Sequence, residues 1–153
     1  RSFAIGELEI LPFPVPHDAR EPVQFVFSDG RRRLGVLTDT GHVTPHIAAS
    51  LSGVNALVLE CNHDADMLEN GPYPPSLRRR VGGQYGHLEN GQAASLLEQM
   101  DVSGLRHVVA AHLSKKNNKP SLARAALANV LNCEPEWIEV ACQENGFDWR
   151  HVD

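Results

Sequence analysis

Apolar residues along this chain come in short runs, and four of the runs end on a side chain that can hold or move a proton. Ile10 to Pro16 delivers His17-Asp18. Val36-Leu37-Thr38 delivers Asp39, and Thr40-Gly41 follows at once. Ala56 to Leu59 delivers Glu60-Cys61-Asn62-His63-Asp64, and Val108 to Ala111 delivers His112-Leu113-Ser114. Runs of this length, bounded by Gly, Pro and polar residues, predict strands. In open α/β sheets ligands gather at the carboxyl ends of strands. Four such ends in one short chain predict one shared site.

The remaining pattern fills in the elements. Residues 3–12 and 22–28 read as strands, the second with a period near two, and Ser28-Asp29-Gly30 predicts a hairpin to a strand over 33–38. Pro45 opens a helix over His46 to Leu51, capped by Thr44. Val54 to Leu59 is a buried strand, and Glu60 to Gly71 a short helix or turn. Pro74-Pro75-Ser76 leads into 77–81, which Gly82-Gly83 breaks. Glu89 to Met100 is a helix with Ala93, Leu96, Leu97 and Met100 on one face. Arg106 to His112 is a strand. Ser121 caps a helix over Leu122 to Leu131 with Ala126, Leu127, Val130 and Leu131 as its stripe. Trp137 to Ala141 and Phe147 to His151 close the chain as paired strands around Glu144-Asn145-Gly146. Antiparallel strands followed by alternating strands and helices give an α/β fold with a mixed sheet and helices mainly on one face. The other face of the early strands has no helix to cover it. It calls for a partner: a missing half or a second copy, as a homodimer.

Composition narrows the class. The chain has 153 residues, enough for one domain, with 42% hydrophobic and 22% charged residues and no internal repeat. No apolar run approaches the roughly 18 residues of a membrane span, and no signal peptide is expected. The net charge of −5 argues against a generally basic nucleic-acid coat but not against a local basic patch. Three cysteines without CxxC spacing point to a reduced, cytoplasmic setting. Eight histidines are the compositional oddity. The first residue is Arg1, not Met, which suggests a piece of a longer protein.

Each candidate residue has a chemical and a plain reading. His17 and Asp39 lie across one hairpin and can share an ion; alternatively, they are a loop histidine and a helix cap. Two or three of His17, Asp39 and His112 meeting in space would make a Zn²⁺ or Mn²⁺ site. Glu60 could bridge cations, but a carboxylate hydrogen-bonded to backbone at the edge of the core is favoured. His107 lies on the opposite strand face from His112 by parity. Ser114 to Lys119 offers hydroxyl, amide and cationic donors to a phosphate, or is an ordinary polar turn. His87, on a glycine-bearing loop before a helix, is a candidate acid/base or phosphate contact. His63 is similarly placed. Arg31-Arg32-Arg33 reads as a solvated loop rather than a phosphate patch. His42, His46 and His151 read as structural or exposed, and Cys61 as a small buried residue. There is no GxSxG, P-loop or HExxH.

Six segments in order carry a family resemblance: His17-Asp18-Ala19; Thr38-Asp39-Thr40-Gly41; Leu59-Glu60-Cys61-Asn62-His63-Asp64 with Met67-Leu68; Gly71-Pro72-Tyr73-Pro74; Gly86-His87-Leu88-Glu89-Asn90; and Ala111-His112-Leu113-Ser114 with Asn117-Asn118-Lys119-Pro120. Nearly the whole chain resembles the C-terminal half to two-thirds of a metallo-β-lactamase-fold hydrolase of the YycJ/WalJ type. That branch is similar to the nucleases tRNase Z and RNase J.

The resemblance implies a four-layer αββα fold, of which residues 1–153 form the C-terminal part of one domain, and a centre of two divalent metal ions, Zn²⁺ or Mn²⁺. It implies that His17 and His112 ligate, that Asp39 bridges, and that His87 assists as an acid for the leaving group. Ser114, Asn118 and His63 would line the phosphate end. The family's HxHxDH motif is not among these residues, and the resemblance places it N-terminal to Arg1. Glu89 stands where close relatives carry serine. The implied activity is metal-dependent hydrolysis of a DNA or RNA phosphodiester by the intact protein, with this part inactive alone. A small phosphodiester, thioester or lactone hydrolase is the second reading, and a non-catalytic, self-associating fragment the third.

Overall fold

The computed structural model describes residues 1–152. Seven strands make one sheet: β1 (Phe3–Ile5), β2 (Leu8–Pro14), β3 (Val23–Ser28), β4 (Arg33–Leu37), β5 (Ala56–Glu60), β6 (His107–Ala111) and β7 (Glu139–Val140). Their order in the sheet is their order in the chain. β1 to β4 pair antiparallel and β4 to β7 parallel. The mixed α/β sheet expected from the pattern is therefore present.

Two-residue turns suffice for antiparallel neighbours, whereas parallel ones need crossovers. α1 (Pro45–Leu51) links β4 to β5. α2 (Ala65–Asn70), α3 (Pro75–Val81) and α4 (Asn90–Gln99) lie between β5 and β6, and α5 (Pro120–Leu131) precedes β7. Thr44 caps α1 as expected, its hydroxyl accepting from the Ile47 N–H at 3.2 Å. Leu37, Leu57, Leu59, Val108 and Ala110 form the sheet side of the core. Ile47 and Leu51 of α1, Ala93, Leu96 and Leu97 of α4, and Leu127 of α5 close over them.

Several boundaries differ from the sequence reading. Residues 3–12 are two strands, because Gly6 turns the chain at φ +60. Ser121 does not cap α5. Pro120 takes the first helical position, where its missing N–H costs nothing, and Lys119 is the capping residue. The buried stripe of α5 is Ala123, Leu127 and Ala128, with Ala126, Val130 and Leu131 only partly covered. The closing strand pair is absent. Pro135–Trp137 is a 3₁₀ turn, and only Glu139 and Val140 pair with β6. Residues 147–152 instead cross the helix-free face, held where His107 Nε2 meets the His151 carbonyl at 2.8 Å and Arg32 donates to the Val152 carbonyl at 3.2 Å. That face carries the half-buried Phe25, Phe27, Leu34, Val36 and Val58. Among the described residues no helix is long and apolar enough to cross a membrane.

Candidate metal centre

The parallel register sets the site. Leu37 lies opposite Leu59, and Glu60 opposite Ala111. Asp39, Glu60 and His112 therefore leave the sheet at neighbouring strand ends. Asp39 and His112 both adopt the left-handed conformation, φ +51 and +57. Such residues are uncommon outside glycine and concentrate at functional sites, where they cost about 1 kcal/mol or more each.

Loops supply the other groups. The 82–87 loop is seated on the Thr38–His42 turn. Gly41 permits this, since a Cβ there would run into the Gln84 carbonyl and come within 2.5 Å of the Tyr85 nitrogen. The Asp18 N–H donates to the Tyr85 carbonyl at 3.0 Å, His42 Nδ1 to the Gln84 carbonyl at 2.8 Å, and His17 Nδ1 to the Gly86 carbonyl at 2.9 Å. His17 and His87 stand edge to face with centroids 5.2 Å apart, and so do His87 and His112.

Glu60 ties the site together. It is fully buried, and its Oε1 accepts from His87 Nδ1 at 2.8 Å and His112 Nδ1 at 2.7 Å. Its Oε2 accepts from the Thr40 and Leu88 backbone N–H groups, each at 3.2 Å. Burial alone would raise the pKa of this carboxyl. The hydrogen bonds from His112 and His87 overcome that and hold it at about 2. Its partner gains accordingly: the bond to Glu60 raises the pKa of His112 against the opposing effect of burial. An ionised carboxylate only accepts, so both rings donate the Nδ1 proton to it, and the Nε2 atom is the one left free to bind or titrate.

Asp39 is the open carboxylate of the group. Its Oδ1 lies 3.5 Å from His87 Nδ1, 3.6 Å from His112 Nδ1 and 3.8 Å from His17 Nε2. Among the described residues nothing donates a hydrogen bond to it. Donor atoms of Asp39, Glu60, His87 and His112 fall within 4.8 Å of one another, a spacing that can hold a metal ion. Imidazoles around a carboxylate suit Zn²⁺, Mn²⁺ and similar borderline ions. Glu60 already has four donors on its two oxygens, so its part is to orient the rings. Asp39, His87 and His112 remain free to offer a ligand atom within that group, and His17 stands at its edge, its Nε2 3.8 Å from Asp39 Oδ1.

The structure thus brings together His17, Asp39, His87 and His112. Glu60 accepts from backbone, as the plain reading holds, and also anchors two imidazoles, which the pattern did not reveal. The available signal was a wholly apolar strand that ends in a carboxylate. Ser114 follows His112, and its hydroxyl accepts from the Asn117 N–H at 3.2 Å. Asn118 is buried away from the cluster, its amide shared among the Cys61 carbonyl, Asn90 and the Lys119 N–H. His63 is also buried, beside Asn62 at 3.3 Å, and burial pushes its pKa down to about 4. It is therefore neutral near pH 7 and brings no positive charge to a phosphate. It lines a separate cleft of about 470 Å³ with Arg78 and Arg79. Glu89 shares that cleft, but it forms a reciprocal capping box with Gln92 at the start of α4, its own N–H donating to Gln92 Oε1 at 3.0 Å. Cys61 is buried and its thiol pKa is raised by burial and the Glu60 charge, so it is inert.

Residues 1–113 match the family model described as a beta-lactamase superfamily domain. The chain is 40% identical over 126 residues to exodeoxyribonuclease YycJ of Bacillus anthracis, covering 82% of this chain and 48% of that protein. It is 32% identical over 126 residues to exodeoxyribonuclease WalJ of Streptococcus pneumoniae, covering 82% and 47%. The chain spans about half the length of these curated relatives. Among solved structures, it superposes on the metallo-beta-lactamase fold protein YhfI from Bacillus subtilis with a TM-score of 0.72 at 17% identity, covering 97% of this chain and 52% of that one. On the match of residues 1–113 and the likeness to these relatives, the chain belongs to the beta-lactamase superfamily domain family.

Proposed function

We propose that this chain supplies the Asp39, His17 and His112 side of a dinuclear Zn²⁺ or Mn²⁺ centre in a phosphodiesterase acting on DNA or RNA. The observation that carries the reading is the shared Glu60 oxygen, which orders His87 and His112 around the open carboxylate of Asp39. The relatives named exodeoxyribonuclease support a nucleic-acid substrate.

Divalent ions held here would lower the pKa of water toward neutrality and offset charge on the attacked phosphoryl oxygens. The protein's own part follows from its hydrogen bonds. Glu60 keeps the Nδ1 protons on His87 and His112, and the Gly86 carbonyl keeps that of His17. Each ring thereby presents Nε2 as a base or ligand. His87, once it has also taken a proton on Nε2, can give that proton to the leaving oxygen and return to the Nδ1-protonated form held by Glu60. Asp39 holds its charge toward the three rings. Glu89, the residue that speaks for a small-molecule substrate, faces the α4 cap and adds no charge to this cluster. The three free cysteines fit a reducing compartment such as the cytoplasm.

The test is His112→Ala in the full-length protein, assayed on single- and double-stranded DNA with added Mn²⁺ or Zn²⁺. Loss of metal-dependent cleavage with retained fold is expected. Undiminished cleavage of both substrates would overturn the assignment.

A further inference from the structure

We infer that Tyr85 is a stacking platform for a nucleotide base next to the metal centre, and that Arg79 and Arg80 hold the adjoining phosphates. This rests on the nucleic-acid reading above and names how the strand is gripped.

Two clefts run from the centre across the end of α3. The first, about 180 Å³, is lined by His17 and His87 of the cluster together with Leu77, Arg80 and Tyr85. The second, about 430 Å³, shares His17, Arg80 and Tyr85 and extends to Arg79. Together they form a path from the proposed ligands to two guanidinium groups, with an aromatic ring beside it throughout.

Tyr85 is 62% exposed, yet its backbone is fixed. Its carbonyl accepts from the Asp18 N–H, its nitrogen sits against Gly41, and the neighbouring carbonyls of Gln84 and Gly86 receive His42 and His17. A loop that merely connects α3 to α4 has no need of four such anchors. A rigid, exposed ring beside a charged path is pre-organised to receive a flat partner. Arg80 is paired with Asp18 at 2.8 Å, the only acidic group among the described residues lining these two clefts; the pair offsets that carboxylate's repulsion and leaves the other guanidinium N–H groups for a phosphate. Arg79 makes no ion pair among the described residues. Phosphates flanking a stacked base satisfy this arrangement: aromatic faces accept any base, and arginine pairs with phosphate through a two-pronged hydrogen bond.

The test uses the full-length protein in EDTA, so that nothing is cleaved, with a fluorescent deoxyoligonucleotide and the same oligonucleotide bearing abasic sites at its end. Fluorescence anisotropy gives the Kd. Tyr85→Ala is expected to weaken binding of the intact oligonucleotide about tenfold and of the abasic one hardly at all, with Tyr85→Phe retaining affinity. Arg79→Ala should reduce the slope of log Kd against log salt by about one. Equal losses on both oligonucleotides, or no loss on either, would overturn the platform while leaving the nuclease reading intact. A wild-type protein that binds neither oligonucleotide in EDTA, and cleaves neither once Mn²⁺ or Zn²⁺ is restored, would overturn both.

Discussion

His87 and His112 donate to the same oxygen of Glu60, at 2.8 and 2.7 Å, although they are 25 residues apart in sequence. One buried atom thus sets the tautomer and tilt of two rings. Glu60→Gln keeps the shape but replaces one acceptor oxygen with an amide NH2, which only donates. Metal affinity of the full-length protein is expected to fall 10- to 100-fold, measured by competition with a chromophoric chelator. Unchanged affinity would mean that the rings are held by other contacts.

The metal-free protein should be most stable near neutral pH. Glu60 has a folded pKa of about 2 against 4.5 unfolded. Its contribution is present above pH 4.5 and disappears as pH falls from there toward 2. His63 behaves in the same sense in a higher window: at about 4 folded and 6.5 unfolded, it withdraws up to about 3 kcal/mol as pH falls from 6.5 to 4. The raised pKa of His112 acts oppositely, its contribution being full below 6.5 and lost as pH rises through the folded value. Urea denaturation from pH 7 to 4 checks this. His63→Leu should flatten the limb between 6.5 and 4, and an unaltered limb would assign it to other groups.

The left-handed backbone at Asp39 separates fold from chemistry. Asp39→Gly should be more stable than Asp39→Ala by about 1 kcal/mol, because glycine accepts this φ without steric cost. Both should lose metal binding. Equal stability in chemical denaturation would show that the turn relaxes to an ordinary conformation once the aspartate is gone.

Gly41→Ala places a Cβ against the Gln84 carbonyl, a backbone atom that cannot rotate away. A loss of about 2–3 kcal/mol is expected. The 82–87 loop must lift, so His17 and His87 lose their carbonyl and carboxylate partners. Amide exchange of Gly86 and His87 should accelerate more than that of α5. A variant as stable as the parent, with unchanged exchange, would contradict the packing described.

The helix-free sheet face should make this chain self-associate when expressed alone. Ile5 and Leu8, paired in register at the exposed edge, are 63% and 45% accessible. Sedimentation velocity of the 153-residue chain is expected to show dimers or larger species, and Ile5→Lys with Leu8→Glu to favour monomer. A parent that stays monomeric at high concentration would refute this.

The fold class and much of the site could be read from the chain because strand ends announce themselves. Apolar runs stop at His17, Asp39, Glu60 and His112, and turn or helix residues follow. The capping role of Thr44 and the face of α4 were equally local. What escaped depended on tertiary neighbours. The two hydrogen bonds at Glu60 Oε1 join loops distant in sequence, and a carboxylate at a strand end looks the same whether backbone or imidazole meets it. Asn118 reads as a phosphate donor until Asn90 and the Cys61 carbonyl are found around it. Phe147 to His151 alternates like a strand, but across the sheet His107 takes the His151 carbonyl and Arg32 that of the next residue, Val152. Gly6 and Pro120 moved boundaries by backbone geometry, which hydrophobic periodicity does not register.

Because the strands stand in the sheet in the order in which they occur in the chain, each can dock as it leaves the ribosome. A growing edge is always available, and no strand must wait for a later one to be threaded beside it. Asp39 is in place first, Glu60 second, and His87 and His112 last. The buried carboxylate is thus committed before its second imidazole is made. Until β6 arrives, Glu60 would have three of its four donors, from Thr40, His87 and Leu88, and lack only the His112 ring.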